Sequence, residues 1–236
     1  MKAVFLRELQ NYFRTPLGYA FIGIFAAISG LVFMAGNILP QTQDYNSVMS
    51  NYMMIMVFLA PVLTMRLLSE ERKTRSDQLL LTSPVTLPSI VLGKFFAAMC
   101  VYILTLAVTS VNVIVLQIYG APAYPEIICG YVGLILMGAC FIAVGLMISG
   151  LLENQFTAYL VTAVVFIFLW LMDILAPNVP NEFAYQVMTW LSLTKRYAAF
   201  RIGLLSLDAV LYYATFASVF LYMTVAVIDK RRWSEG

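Results

Sequence analysis

The sequence predicts an all-α polytopic membrane protein with six transmembrane helices. Three observations carry that prediction. The 236-residue chain is 62% hydrophobic and only 11% charged, where a soluble domain carries about 25% charge, so it lacks the polar groups to cover a soluble surface. Its apolar residues fall into six long segments, on the scale of the roughly 20 residues that cross a hydrocarbon core. Its fourteen basic residues are distributed unevenly between the connecting segments, which sets an orientation.

Residues 2–14, KAVFLRELQNYFR, come first. Phe5, Leu9, Tyr12 and Phe13 gather on one side of a helical wheel, with Arg7 and Arg14 on the other. That pattern predicts a helix lying in the membrane interface, since a free tail would leave the aromatics poorly placed. The N-terminus is basic but has no short apolar core followed by a cleavage site, so it reads as retained. Pro16 and Gly18 then break the chain. Spans are expected at Leu17–Leu39, Tyr52–Leu68, Leu87–Tyr119, Ile127–Ser149, Phe156–Leu175 and Asp208–Ile228. The third is long enough to tilt or to project beyond the bilayer. A polar loop at Gln41–Asn51 separates the first two, a tight turn at Ala121–Pro125 precedes the fourth, and Glu153, Asn154 and Gln155 make a brief polar turn before the fifth. Residues 176–206 are neither polar enough for a free loop nor apolar enough for a clean crossing. Their backbone polar groups must still be satisfied, so they are expected to be helical or shielded by protein.

With the N-terminus inside, eleven of the fourteen cations fall on the cytoplasmic side. These are Lys2, Arg7 and Arg14, then Arg66, Arg72, Lys73, Arg75 and Lys94, then Lys230, Arg231 and Arg232. Only Lys195, Arg196 and Arg201 fall outside. Both termini and the segment between the second and third spans are therefore expected to face the cytoplasm.

The chemistry is notable for what it lacks. There is no histidine, which removes imidazole as base, metal ligand or near-neutral switch. Gly93-Lys94 continues into Phe95 and has no preceding glycine at the spacing that cradles phosphate, so no ATP hydrolysis is expected on this chain. Cys100, Cys129 and Cys140 match no metal or redox spacing and read as small buried apolar residues. Glu126 and Asp173 lie at expected outer span ends and Arg66 at an inner one. No ionisable pair sits near a midplane, which argues against a membrane-embedded hydrolase and weakens an ion-coupled carrier. Thr105, Thr109, Asn112 and Gln117 make a polar line on the third span. It reads as a substrate path or as helix–helix hydrogen bonding, and the absence of charge favours the second. Small residues at Ala139, Ala143, Gly145 and Ser149 point to close backbone packing of the fourth span. Met49, Met53, Met54, Met56 and Met65 give the second span adaptable packing.

The polar island between the second and third spans organises the chain. Ser69, Glu70 and Glu71 are placed to open a helix, the acids favoured by its positive end. Leu79, Leu80 and Leu81 give it an apolar patch, and Thr82-Ser83-Pro84 ends it. Thr86 caps the third span with Pro88 in its first turn. Topology alone explains Arg72, Lys73 and Arg75. A mixed-sign helix with apolar knobs further suits docking into a groove of another protein.

Residues 69–94, SEERKTRSDQLLLTSPVTLPSIVLGK, resemble the hallmark of permease subunits of type-two ABC exporters: Glu-Glu, a basic run, a leucine-rich stretch ending in Ser-Pro, and a later Gly-Lys. The run Asp77–Pro84 is similar to the gliding-motility-type subgroup. The likeness extends through the opening LRELQNYFRTPLGY and the closing LSLTKRYAAFRIGLLSLDAVLYY and KRRW. Arg75 and Ser76 stand where Gly-Thr is usual, and Lys195 and Arg196 replace residues that are usually uncharged or histidine. The resemblance implies a single permease domain over residues 1–236, with an interfacial helix (2–14), a cytosolic coupling helix (69–82) and short re-entrant outer helices (176–206). It implies a bacterial inner-membrane location, two copies of a separate ATPase that carries ATP and Mg, and a second permease. That second permease is an identical chain or a different one with an extracytoplasmic domain. Cofactors are expected on the partner and none on this chain. Lipid, not nucleic acid, is the expected surrounding. Glu70, Glu71, Arg72, Lys73, Arg75, Asp77, Gln78 and Leu79 map onto the ATPase contact. Outer helices are expected at Phe183–Leu193 and Tyr197–Leu205, after a break at Pro177 and Pro180, with Tyr197, Phe200 and Gly203 keeping the subgroup's spacing. Two other readings stand beside the exporter: a non-transporting anchor of a motility or envelope assembly, and an ion-coupled carrier acting alone.

Overall fold

The computed structural model describes residues 1–73, 86–120, 122–179 and 181–234. Among these residues all regular structure is helical. Helix α1 is Lys2–Arg14, α2 is Pro16–Phe33 extended by a π turn at Met34–Ile38, α3 is Tyr45–Thr64 and α4 is Ser69–Lys73. Then come α5 (Leu87–Thr109), α6 (Val111–Tyr119), α7 (Tyr124–Leu151) and α8 (Gln155–Leu175). A 3₁₀ turn at Ala176–Asn178 leads to α9 (Glu182–Leu191), α10 (Leu193–Arg201) and α11 (Leu207–Ser234). Six helical stretches are long and apolar enough to cross a membrane: Pro16–Ile38, Tyr45–Lys73, Leu87–Ile118, Tyr124–Leu151, Gln155–Leu175 and Leu207–Lys230.

Helix α7 is the axis of the bundle and packs against α3, α5, α8, α10 and α11. Apolar burial does not drive association between helices in lipid, so close van der Waals approach must. The small residues of α7 supply it. A Cβ at Gly138 would stand 2.1 Å from the Tyr102 ring of α5, and one at Gly145 would stand 2.3 Å from the Thr64 hydroxyl of α3. The most apolar windows of α3 and α7 are 67% buried, against 22% for α8 and 17% for α11. The latter two therefore turn most of their apolar surface outward, where Phe156, Val164, Phe168, Leu211 and Tyr222 are exposed.

Sequence expectation and structure differ in detail at three places. The polar loop ends at Asp44 rather than Asn51, because the Asp44 carboxylate accepts from the backbone N–H groups of Asn46 and Ser47 and starts α3 there. The third span has the expected extent but carries a one-residue turn at Ser110, whose hydroxyl bonds back to the Ala107 carbonyl at 2.6 Å, a side-chain bond that competes with the helical ladder. Helices α9 and α10 start one and four residues before the expected Phe183 and Tyr197. Asn181 caps α9 through the Phe183 N–H, and Ser192 caps α10 through the Lys195 N–H.

Helix α10 ends in a left-handed turn. Gly203 has φ +76°, its N–H donates to the Phe200 carbonyl, and the Leu204 N–H donates to that of Ala199. A Cβ there would also come within 3.3 Å of Glu126 Cγ. Gly203→Ala is expected to cost about 1–2 kcal/mol, read as a lower unfolding midpoint in detergent. Gly203→Asn should lose less, since Asn tolerates the left-handed region.

Candidate functional site at the charged end of the bundle

The described part of the island is short, and its charges are engaged within the chain. Pro61 lacks the N–H that the last turn of α3 needs, and the chain turns at Met65–Leu68 before α4 resumes. The Ser149 hydroxyl of α7 secures this turn. It accepts from the N–H groups of Leu68 and Ser69 and donates to the Met65 carbonyl, each at 3.1 Å. Arg66 and Glu70, one helical turn apart, pair through two hydrogen bonds of 2.8 and 2.7 Å. Arg72 donates to the Leu151 carbonyl at 2.9 Å and to Glu153 at 2.6 Å, joining α4 to the α7–α8 turn.

Among the described residues, a ring of four charges lies beside α4. Lys94, on α5, is 1% exposed and its Nζ stands 2.9 Å from both Glu8 Oε1 of α1 and Glu71 Oε1 of α4. Arg7 closes the ring, 2.5 Å from Glu71 and 3.2 Å from Glu8. Burial opposes the Arg7 charge, yet the hydrogen bond to Glu8 and the charge of Glu71 outweigh it and raise its pKa. Two cations and two carboxylates cancel, so the ring is neutral as a unit. This ring explains why the inward stripe of α1 carries an acid: Glu8 and Tyr12 are its buried residues. The Tyr12 hydroxyl donates to the Leu63 carbonyl at 2.6 Å. Burial, and then the Glu8 charge, raise its pKa, so it keeps the proton that this bond uses.

Of the residues expected to meet an ATPase, Glu70, Glu71 and Arg72 thus hold α4 to the bundle, while Lys73 is exposed. Arg75, Asp77, Gln78 and Leu79 lie outside the described residues. The sequence reading placed Lys94 among the cytoplasmic cations and in the Gly-Lys of the family hallmark, and gave no role to Glu8. The available signal was a lysine well inside an apolar span, paired with the single acid on the first helix but one position from Arg7.

The other expected sites are spread over the rest of the bundle. Thr105 is fully buried and bonds back to the Val101 carbonyl. Thr109 bonds to the Leu106 carbonyl and lies 3.2 Å from the Tyr131 hydroxyl. That hydroxyl, with Tyr52, surrounds the hydroxyl of Tyr45. Asn112 has its Nδ2 buried without a hydrogen-bond partner. At the far end Tyr197 and Phe200 press on Gly133 of α7, where a Cβ would come within 2.9 and 2.7 Å of their rings. There Asn46 donates both to Glu126 and to the Arg201 carbonyl, fastening α10 across α3 and α7.

The chain matches the family described as ABC-2 family transporter protein over residues 8–228. No curated protein matches it.

Proposed function

The chain belongs to the ABC-2 transporter family, and on that premise we propose that it is the exporter permease of an ATP-driven system of the gliding-motility type. The family is a membrane transport component, paired in such transporters with an ABC ATPase subunit. The proposal adds direction, orientation and coupling. Its charged end faces the bacterial cytoplasm. Two copies of a separate ATPase seat on the island there, and a second permease, identical or different, completes the pathway.

The observation that supports coupling at this end is the bracing of α4. Its charges run through Glu71 to α1 and α5, and through Arg72 to α7 and its turn into α8. A push on α4 is therefore delivered to three helices and the α7–α8 turn at once. Side chains spent on bracing cannot also be the main docking contacts, which leaves Lys73 and the residues after it for the ATPase. Lys73→Glu is expected to reduce ATPase retention during purification at least several-fold, with insertion and unfolding midpoint unchanged. The decisive test uses the reconstituted complex, with spin labels on cysteines introduced at the exposed Gln43 and Leu204. ATP should change their separation, and Lys73→Glu should abolish the change. No ATP-dependent change in a complex that retains its ATPase would instead favour the non-transporting anchor.

A further inference from the structure

An open groove of about 670 Å³ runs between the first turn of α1 and one face of α5. Its walls are Phe96, Met99, Cys100, Ile103 and Leu104 on α5, with Met1, Lys2 and Phe5 above them. The α5 residues recur at helical spacing and form one stripe. From Phe96 to Leu104 that stripe runs about 12 Å along the spanning helix, at 1.5 Å per residue.

The crossing of α1 over α5 gives the groove its shape. The two helices touch at Gly93, where a Cβ would be 3.0 Å from the Val4 side chain and 3.3 Å from the Met1 carbonyl. The charge ring at Lys94 fixes them one residue further on. The first turn of α1 therefore sits at the charged end of the stripe, and the stripe leads away from it toward the middle of the span. The groove is apolar throughout, and Lys2 lines one end of it through its hydrocarbon stem. No acid lines it. Glu8, the only acid of α1, is occupied by Lys94 and Arg7, so the outward side of α1 shows only Lys2, Arg7 and Arg14.

We propose that this groove holds one anionic phospholipid, its phosphate at Lys2 and an acyl chain laid along Phe96–Leu104. The apolar stripe and the sign of the charge at its end agree on that one occupant. A zwitterionic lipid would fill the apolar stripe equally well and also bring a phosphate, but its own ammonium cancels the net charge that Lys2 would attract. A basic residue near an anionic surface contributes on the order of 1 kcal/mol, roughly a fivefold preference. The inference rests on the crossing of the bilayer by α5 and not on the transport reading.

The test is lipid retention by the full chain, purified with its partners. Vesicles of phosphatidylglycerol and phosphatidylcholine with identical acyl chains are offered in equal amounts, and retained lipid is read by native mass spectrometry. Retained phosphatidylglycerol is expected to exceed phosphatidylcholine about fivefold. Lys2→Gln should equalise the two without lowering total lipid. Cys100→Trp, which fills the groove, should remove the retained lipid. Cys100→Ser serves as a control that keeps it, and unfolding midpoints establish that each variant is folded. Equal retention of both lipids by the unmodified chain, or retention unchanged in folded Cys100→Trp, overturns the proposal and leaves ordinary boundary lipid.

Discussion

Lys94→Met should destabilise the protein by about 3 kcal/mol, the lower end of the range for stranding one side of a buried ion pair. The argument is one of charge balance. Lys94 is 1% exposed and stands 2.9 Å from two carboxylates on two other helices. Without it, Glu8 and Glu71 face one another with Arg7 as the remaining cation of the ring. The Arg7 side chain is 52% exposed, so water screens it and it cannot neutralise both. The low end of the range applies because Arg7 still reaches each of them. Methionine keeps the length and apolar stem of lysine, so lost packing contributes little. Rescue separates charge from packing. Lys94→Met with Glu8→Gln leaves Arg7 opposite Glu71, the closer of its two partners at 2.5 Å, and most of the loss should return. Unfolding midpoints in detergent for the single and double variants read this coupling. A Lys94→Met chain as stable as the parent would show that no buried lysine holds α1, α4 and α5 together.

The same ring marks the limit of what the sequence discloses. The six spans were readable because a run of about 20 apolar residues has few alternatives, and five of them begin within three residues of the expected positions. The exception is α3, which starts seven residues early. Asp44, Asn46, Ser47, Ser50 and Asn51 look like a loop by polarity. They form a helix because Asp44 caps it, and because Asn46 and Ser50 bond within the protein. Polarity in a sequence does not distinguish a solvated side chain from one that is satisfied internally. Glu70, Glu71 and Arg72 show the reverse problem. Their charge made them candidates for a partner, and the structure gives each a partner in its own chain. The ring itself joins residues 7, 8, 71 and 94, a pairing set by where α1 crosses α5. Helical periodicity reports the face of one helix and carries no information about which face of another it meets. The small residues of α7 were legible as a packing surface, but the side chains that fill them were not.

Gly138→Ala should cost about 3 kcal/mol, although alanine is the better helix former. In an open helical position the substitution gains up to about 1 kcal/mol from propensity. Gly23 is such a position, with nothing within 4 Å of its would-be Cβ, and Gly23→Ala is expected to be neutral or stabilising. At Gly138 the new methyl would sit 2.1 Å from a Tyr102 ring carbon. The ring has nowhere to go: Tyr102 is fully buried, and its hydroxyl is held 3.0 Å from the Leu134 carbonyl on α7 itself. Either α5 and α7 separate or the tyrosine swings out and abandons its hydrogen bond. Overpacking alone costs about 1–3 kcal/mol, and the bond adds about 1. Shortening the opposing side chain removes the clash, so Tyr102→Leu should be less harmful in the Gly138→Ala background than in the parent. That favourable coupling, read as a double-mutant cycle of unfolding midpoints, is a signature that simple loss of a hydroxyl would not give. Should Gly138→Ala behave like Gly23→Ala, α5 and α7 do not approach as closely as described, and α7 loses its place as the axis of the bundle.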